Sequence, residues 1–169
     1  MKNIIFLLAI FIGLLNPIVN ANELRLSKNV IVNYPTPAIV SHADNLLIVK
    51  YQDWYFSHEQ LEPKNIYQAI DLTGLEHSFI KSMFIPKVRL ELPKWLAELS
   101  KEQAASYAIT DTSSTIKRSS DLDIYSAYDS ANQKGIVYIL EPVTIHSISY
   151  SGSDKHFSKL LSMIKGNNK

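Results

Sequence analysis

The chain reads as an α+β protein: a single layered domain in which a mostly antiparallel sheet packs against helices, with a C-terminal helix. Three observations predict this. Residues 122–150 hold runs rich in β-branched and aromatic side chains, set apart by turn signals. Phe157, Leu160, Leu161 and Ile164 recur at i, i+3, i+4 and i+7, the stripe of a half-buried helix. Between residues 63 and 99, prolines open segments whose apolar residues repeat at helical spacing.

Residues 29–34 form a short strand that ends at Tyr34-Pro35-Thr36-Pro37, because two prolines fix φ and remove two backbone donors. Residues 45–56 are two strands joined at Gln52-Asp53, or one bent strand. Pro63, Ile66, Ala69 and Ile70 are spaced for a helix. Thr73-Gly74-Leu75-Glu76 has the form of a capping box, followed by a stripe of Leu75, Phe79, Ile80 and Met83 that Pro86 ends. Val88, Leu90 and Leu92 alternate with Arg89 and Glu91, which predicts a brief strand or extended link. Pro93 opens another helix, with Trp95, Leu96 and Leu99 on one face. Residues 110–121 contain one apolar side chain, Ile116, and read as a surface loop.

The C-terminal third carries the clearest pattern. Residues 122–128 are a strand, Gly135 closes the turn after it, and residues 136–140 are apolar enough for the centre of a sheet. In residues 143–150, Val143 and Ile145 share one face while Ile148 and Tyr150 share the other, which predicts a bulge near His146-Ser147. Ser151-Gly152-Ser153-Asp154 starts the last helix, and Lys165 and Gly166 sit where a helix end is capped. This outline of strands, helices, strands and a final helix resembles the PsbP-like α/β/α sandwich. A likeness of outline implies no activity.

Lys2, the apolar run from Ile4 to Leu15 and the small-residue site Val19-Asn20-Ala21 form an export signal, with cleavage after Ala21. Residues 1–21 are thus a cleaved signal peptide and residues 22–169 one domain. The apolar run is too short to cross a bilayer, so no stable membrane anchor remains after cleavage. The expected location is the bacterial periplasm or the exterior. The chain has 17 Lys and Arg against 16 Asp and Glu, and Lys2 is the leader's one charge, so the exported part is balanced. It lacks the clustered basic charge that phosphate backbones require, which argues against nucleic acid as a partner. The absence of cysteine excludes thiol nucleophiles, thiolate metal sites and a lipid-bearing cysteine.

Five histidines (His42, His58, His77, His146 and His156) show no H-E-x-x-H spacing. Scattered histidines are mostly structural. If a metal site exists, His58, His146 and His156 are its candidates, since only His and carboxylates are available. No cofactor is implied. The chain has no G-x-S-x-G elbow, and Ser151-Gly152-Ser153-Asp154 is better explained as a helix cap than as an anion site. Asp53, Glu59, Glu62, Asp123, Asp129 and Glu141 are scattered carboxylates that only the fold could pair. The aromatic cluster around residues 51–56, joined by Tyr125, Tyr128, Tyr138 and Tyr150, is more suggestive of recognition. Alternation predicts Trp54 and Phe56 in the core, with Tyr51 and Tyr55 on the opposite face. Tyr51, Tyr55 and Tyr125 are the candidate partner- or ligand-binding residues. The leading expectation is a non-catalytic binding or accessory protein acting on an envelope or extracellular protein. The alternatives are an exported hydrolase with a site assembled by the fold, and a carrier of a small apolar ligand.

Overall fold

Antiparallel pairing of strand-forming runs builds the centre of the molecule. The computed structural model describes residues 21–64, 66, 70–118 and 122–166. Seven strands form the main sheet: β3 (Ile39–Ala43), β4 (Leu46–Lys50), β5 (Tyr55–Leu61), β6 (Ser114–Arg118), β7 (Asp123–Asp129), β8 (Lys134–Leu140) and β9 (Ile145–Ser151). Their order is β3-β4-β5-β9-β8-β7-β6, all antiparallel. A second sheet pairs β1 (Ala21–Arg25) and β10 (Ile164–Gly166) on either side of β2 (Val30–Pro35). The helices are α1 (Glu76–Phe84), α2 (Pro86–Arg89), α3 (Lys94–Ser106) and α4 (Asp154–Met163).

Two apolar clusters hold these elements in three layers. On one face of the main sheet, Tyr125, Ile136, Tyr138, Leu140 and Ile145 pack against Phe79, Ile80, Met83 and Phe84 of α1 and Leu96 of α3. On the other face, Phe56, Ile124, Val137, Ile139, Ile148 and Tyr150 meet Val30 and Val32 of β2 and Phe157, Leu160 and Met163 of α4. The α+β class predicted from the sequence is therefore the observed one. Trp54 and Phe56 are buried, and β4 and β5 are separate strands joined through residues 51–54.

Two glycines are fixed by close approach. A Cβ on Gly135 would lie within 2.7 Å of the Phe157 ring. Gly152 has φ +147°, and a Cβ there would meet Trp54 and the Tyr150 hydroxyl.

Several local expectations are corrected. The register of β9 against β5 and β8 is continuous, so no bulge lies at His146-Ser147. The strand is buried on both sides over residues 145–148: Ile145 faces the helices, whereas His146, Ile148 and, further on, Tyr150 face the small sheet and α4. Val143 precedes the strand and is 92% exposed. The capping box does not form, because Thr73 Oγ1 donates to Asp71 and α1 begins only at Glu76. Residues 88–92 are helical and turn backbone, and Leu90 projects into solvent. Trp95 is exposed, while Leu96, Ser100 and Ala104 carry the buried face of α3.

Residues 114–118, inside the expected loop, pair with β7 as an edge strand. Gly166 does not cap a helix. The chain leaves α4 at Met163 and runs on as β10, so Ile164 is buried through a strand. Part of the helix expected after Pro63 falls on residues 65 and 67–69, outside the described residues, as do residues 1–20 of the expected leader.

Candidate functional site

Among the described residues, the helical layer covers the β7-β8-β9 side of its sheet face and leaves the β3-β4-β5 side open. Register defines what that open side presents. Residues paired across antiparallel strands point to the same face, and so do residues two apart. One cross-strand row therefore runs Ile39, Lys50, Tyr55, Ser151, Lys134 and Asp129. The next runs Ser41, Ile48, Ser57, Ser149 and Ile136. A third begins Ala43, Leu46, Glu59 and Ser147, and ends on the helix-covered Tyr138.

Three large side chains on this face remain exposed: Ile39 at 54%, Tyr55 at 43% and Leu46 at 36%. Where the face meets the end of α3, Ser106 and Tyr107 wall off a cleft of about 510 Å³. Its floor is Tyr55, Ser57, Ser149 and Ser151, and Asn132 and Lys134 close it on the β7–β8 turn side. Among the described residues, no protein partner satisfies the hydroxyls of Ser57, Ser149 and Ser151. They are left to hydrogen-bond with solvent or a ligand. A tyrosine ring beside unpaired hydroxyls and a lysine offers both apolar area and directional polar contacts.

The opposite face of β5 and β9 carries a buried polar chain. His58 Nε2 lies 3.0 Å from His146 Nδ1, and His146 Nε2 lies 3.0 Å from Glu141 Oε1. Ser27 Oγ donates to Oε1 of the same carboxylate, and Asn29 Nδ2 donates to Oε2 at 2.9 Å. His77 Nε2 contacts the Glu141 carbonyl at 2.7 Å. Burial, then the neighbouring His146, pushes the His58 imidazole down to about 4. Burial also lowers His146, against the opposing pull of Glu141. For Glu141 burial acts upward, but the hydrogen bonds from Ser27, His146 and Asn29 outweigh it and hold the carboxyl below its ordinary range.

This chain ties the β1–β2 turn to the β8–β9 turn across the interface of the two sheets. It does not align a nucleophile. A serine triad needs the hydroxyl on the imidazole, whereas Ser27 gives its proton to the carboxylate.

His156, the third metal candidate, is elsewhere. It stacks on Trp54 with ring centroids 5.4 Å apart, 3.2 Å from Ser153 Oγ and 3.8 Å from Asp53. The three candidates thus do not converge, and no group of three or more His, Asp or Glu among the described residues could hold a metal ion. Ser153, His156 and Asp53 resemble hydrolase parts by residue type, but both oxygens approach the same ring nitrogen, Nδ1. A triad uses opposite nitrogens, one toward each partner. Ser153 stands at the N-cap position of α4 and its carbonyl accepts from the amides of His156 and Phe157, but its side chain makes no cap bond and turns to His156 instead.

The three tyrosine candidates separate in the same way. Tyr55 lies on the open face. Tyr51 is instead half-buried on the core side: its ring stacks on Trp54 at 4.0 Å, and its hydroxyl donates to the Pro35 carbonyl. The alternation breaks between residues 51 and 54 because those residues form the hairpin turn, not a strand. Tyr125 is fully buried, its ring 5.4 Å from that of Phe84, so it cannot meet a partner. Ser57, Ser149 and Lys134 carry no motif in the sequence, and Ser151 there fits a helix cap. The alternation Ser147-Ile148-Ser149-Tyr150-Ser151 was the signal that three serines share one face. Comparison with protein-family models, curated proteins and solved structures finds no match.

Proposed function

We propose that this chain is an exported, non-catalytic binding or accessory protein, and that its open sheet face takes a segment of an envelope or extracellular protein. The observation that carries the reading is the half-covered sheet. Ile39, Leu46 and Tyr55 are exposed together on one face, next to a cleft lined by unpaired serine hydroxyls. A core-facing surface of a sheet is normally covered, and a contiguous exposed patch rimmed by polar groups marks an interaction site. Tyrosine suits the centre of such a patch because it supplies large contact area with few rotatable bonds. The balanced charge and the N-terminal export signal support a partner met outside the cytoplasm by shape and hydrogen bonding rather than by charge attraction.

The test is an in-cell crosslinking pull-down of the full chain carrying a C-terminal tag, compared with a Tyr55→Ser/Ser149→Lys variant. One envelope protein recovered in near-stoichiometric amount with the native face, and lost with the variant, is the expected result. Equal recovery with both proteins, or recovery of the bait alone, would overturn the proposal.

A further inference from the structure

The open face ends at an unprotected edge. Among the described residues, all five of β3 are exposed and β3 pairs with β4 on one side only. Ile39 and Val40 are each more than half exposed although they point to opposite faces of the sheet. The strand itself, Ile-Val-Ser-His-Ala, contains no lysine, proline or carboxylate, the usual guards of a free edge. The other edge of the same sheet, β6, ends in Lys117-Arg118.

We propose that β3 pairs antiparallel with β3 of a second copy of this chain, joining the two main sheets edge to edge about a two-fold axis through Ser41. Self-complementarity argues for this occupant. The two-fold places Ile39 opposite the second copy's Ala43, where large faces small, and Val40 opposite its His42, and no like charges meet. It also carries the hairpin tip of each copy, with Asp44, toward the hairpin base of the other, where Lys50 flanks Ile39. Those two Cα atoms then lie about 10 Å apart, a gap that the Lys and Asp side chains can bridge. Lys50 has no ion partner among the described residues of its own copy. Because the axis is normal to the sheet, both open faces come to lie on the same side, doubling the proposed docking surface. The strand is short, so the pairing buries less than a standard interface and the dimer is reversible with concentration. This inference does not depend on the identity of the docking partner.

The chain's lack of cysteine makes the test clean. In the paired state a Ser41→Cys side chain faces its own copy across about 4.5–5.5 Å between Cα atoms, within disulfide reach. An Ile39→Cys pair would be about 14 Å apart. Protein purified after expression of the full chain is examined by sedimentation velocity across the micromolar range, and the cysteine variants are exposed to mild oxidant. The expected result is a concentration-dependent dimer, with Ser41→Cys crosslinking about tenfold or more faster than Ile39→Cys. Ser41→Lys, which sets like charges face to face, should weaken the dimer about tenfold or more while its circular dichroism stays native. A monomer at every concentration overturns the proposal. So does a dimer that Ser41→Lys leaves intact, or crosslinking at equal rates from the two cysteines.

Discussion

His58 Nε2 lies 3.0 Å from His146 Nδ1, and this contact requires one imidazole to donate and the other to accept. Glu141, on the far nitrogen of His146, favours a proton there. His146 Nδ1 is then the acceptor and His58 Nε2 the donor. Both rings are neutral in this arrangement, and charging both would set two cations in contact within a partly buried site.

A pH dependence of stability follows. His58 has its pKa lowered from 6.5 to about 4 in the folded protein, so between those values the unfolded chain binds more protons. Stability is then lost as pH falls from about 6.5 to about 4, by up to roughly 3 kcal/mol. Lowered His146 and lowered Glu141 act in the same direction, the latter at the acid end of the window. Urea melts across this range should show the decline, and a His58→Gln variant should flatten it. A wild-type midpoint that stays level from pH 7 to pH 4 would contradict the contact.

Glu141 accepts from Ser27, Asn29 and His146 at once. Glu141→Ala leaves three polar groups without their acceptor in a largely dry interface, and should cost about 2–4 kcal/mol in denaturant melts. Glu141→Gln keeps part of the acceptor capacity and should cost less. Equal losses from the two substitutions would show that packing, rather than hydrogen bonding, sets the effect.

Leu160 is fully buried between α4 and the sheet. Leu160→Ala should cost about 2–5 kcal/mol by transfer and cavity terms. Leu160→Asp places an unpaired charge there and should abolish cooperative unfolding, given total stabilities of about 5–15 kcal/mol. A Leu160→Asp protein melting like wild type would show that the helix does not pack as described.

Gly135 sits beneath the Phe157 ring, and a Cβ there has no room. Gly135→Ala should destabilise by about 1–3 kcal/mol through overpacking. Truncating Phe157 to Leu in the same chain should recover part of that loss, because it removes the ring the methyl meets. Additive losses in the double variant would argue against the contact.

The legible parts of this fold were those whose side chains alternate against a core. Residues 136–140 announce their burial and are buried throughout, and of the stripe Phe157, Leu160, Leu161 and Ile164 the first two are buried on the helix, Leu161 is half-buried, and Ile164 is buried on β10. The strands β1, β3 and β6 were not read, because edge strands owe their conformation to the neighbour they pair with. Residues 39–43 lack alternation against a core since none of them is buried. At the site, Tyr55 was legible because it alternates with buried Trp54 and Phe56. Tyr51 and Tyr125 were not, since one lies just before a hairpin turn and the other on a strand buried on both faces. His58 and His146 were each named, but they are 88 positions apart. Only the β5–β9 register, pairing His58 with Ile148 and Gln60 with His146, makes them diagonal neighbours.

Site-specific photo-crosslinking in cells asks directly whether the open face meets a partner. A photoreactive phenylalanine analogue replaces Tyr55 on the open face, or Val143, an exposed residue of the β8–β9 turn. A discrete adduct with one envelope protein from position 55, and none from position 143, is the expected result. Adducts of equal yield from both positions, or none from position 55 while the protein is folded and exported, would contradict it.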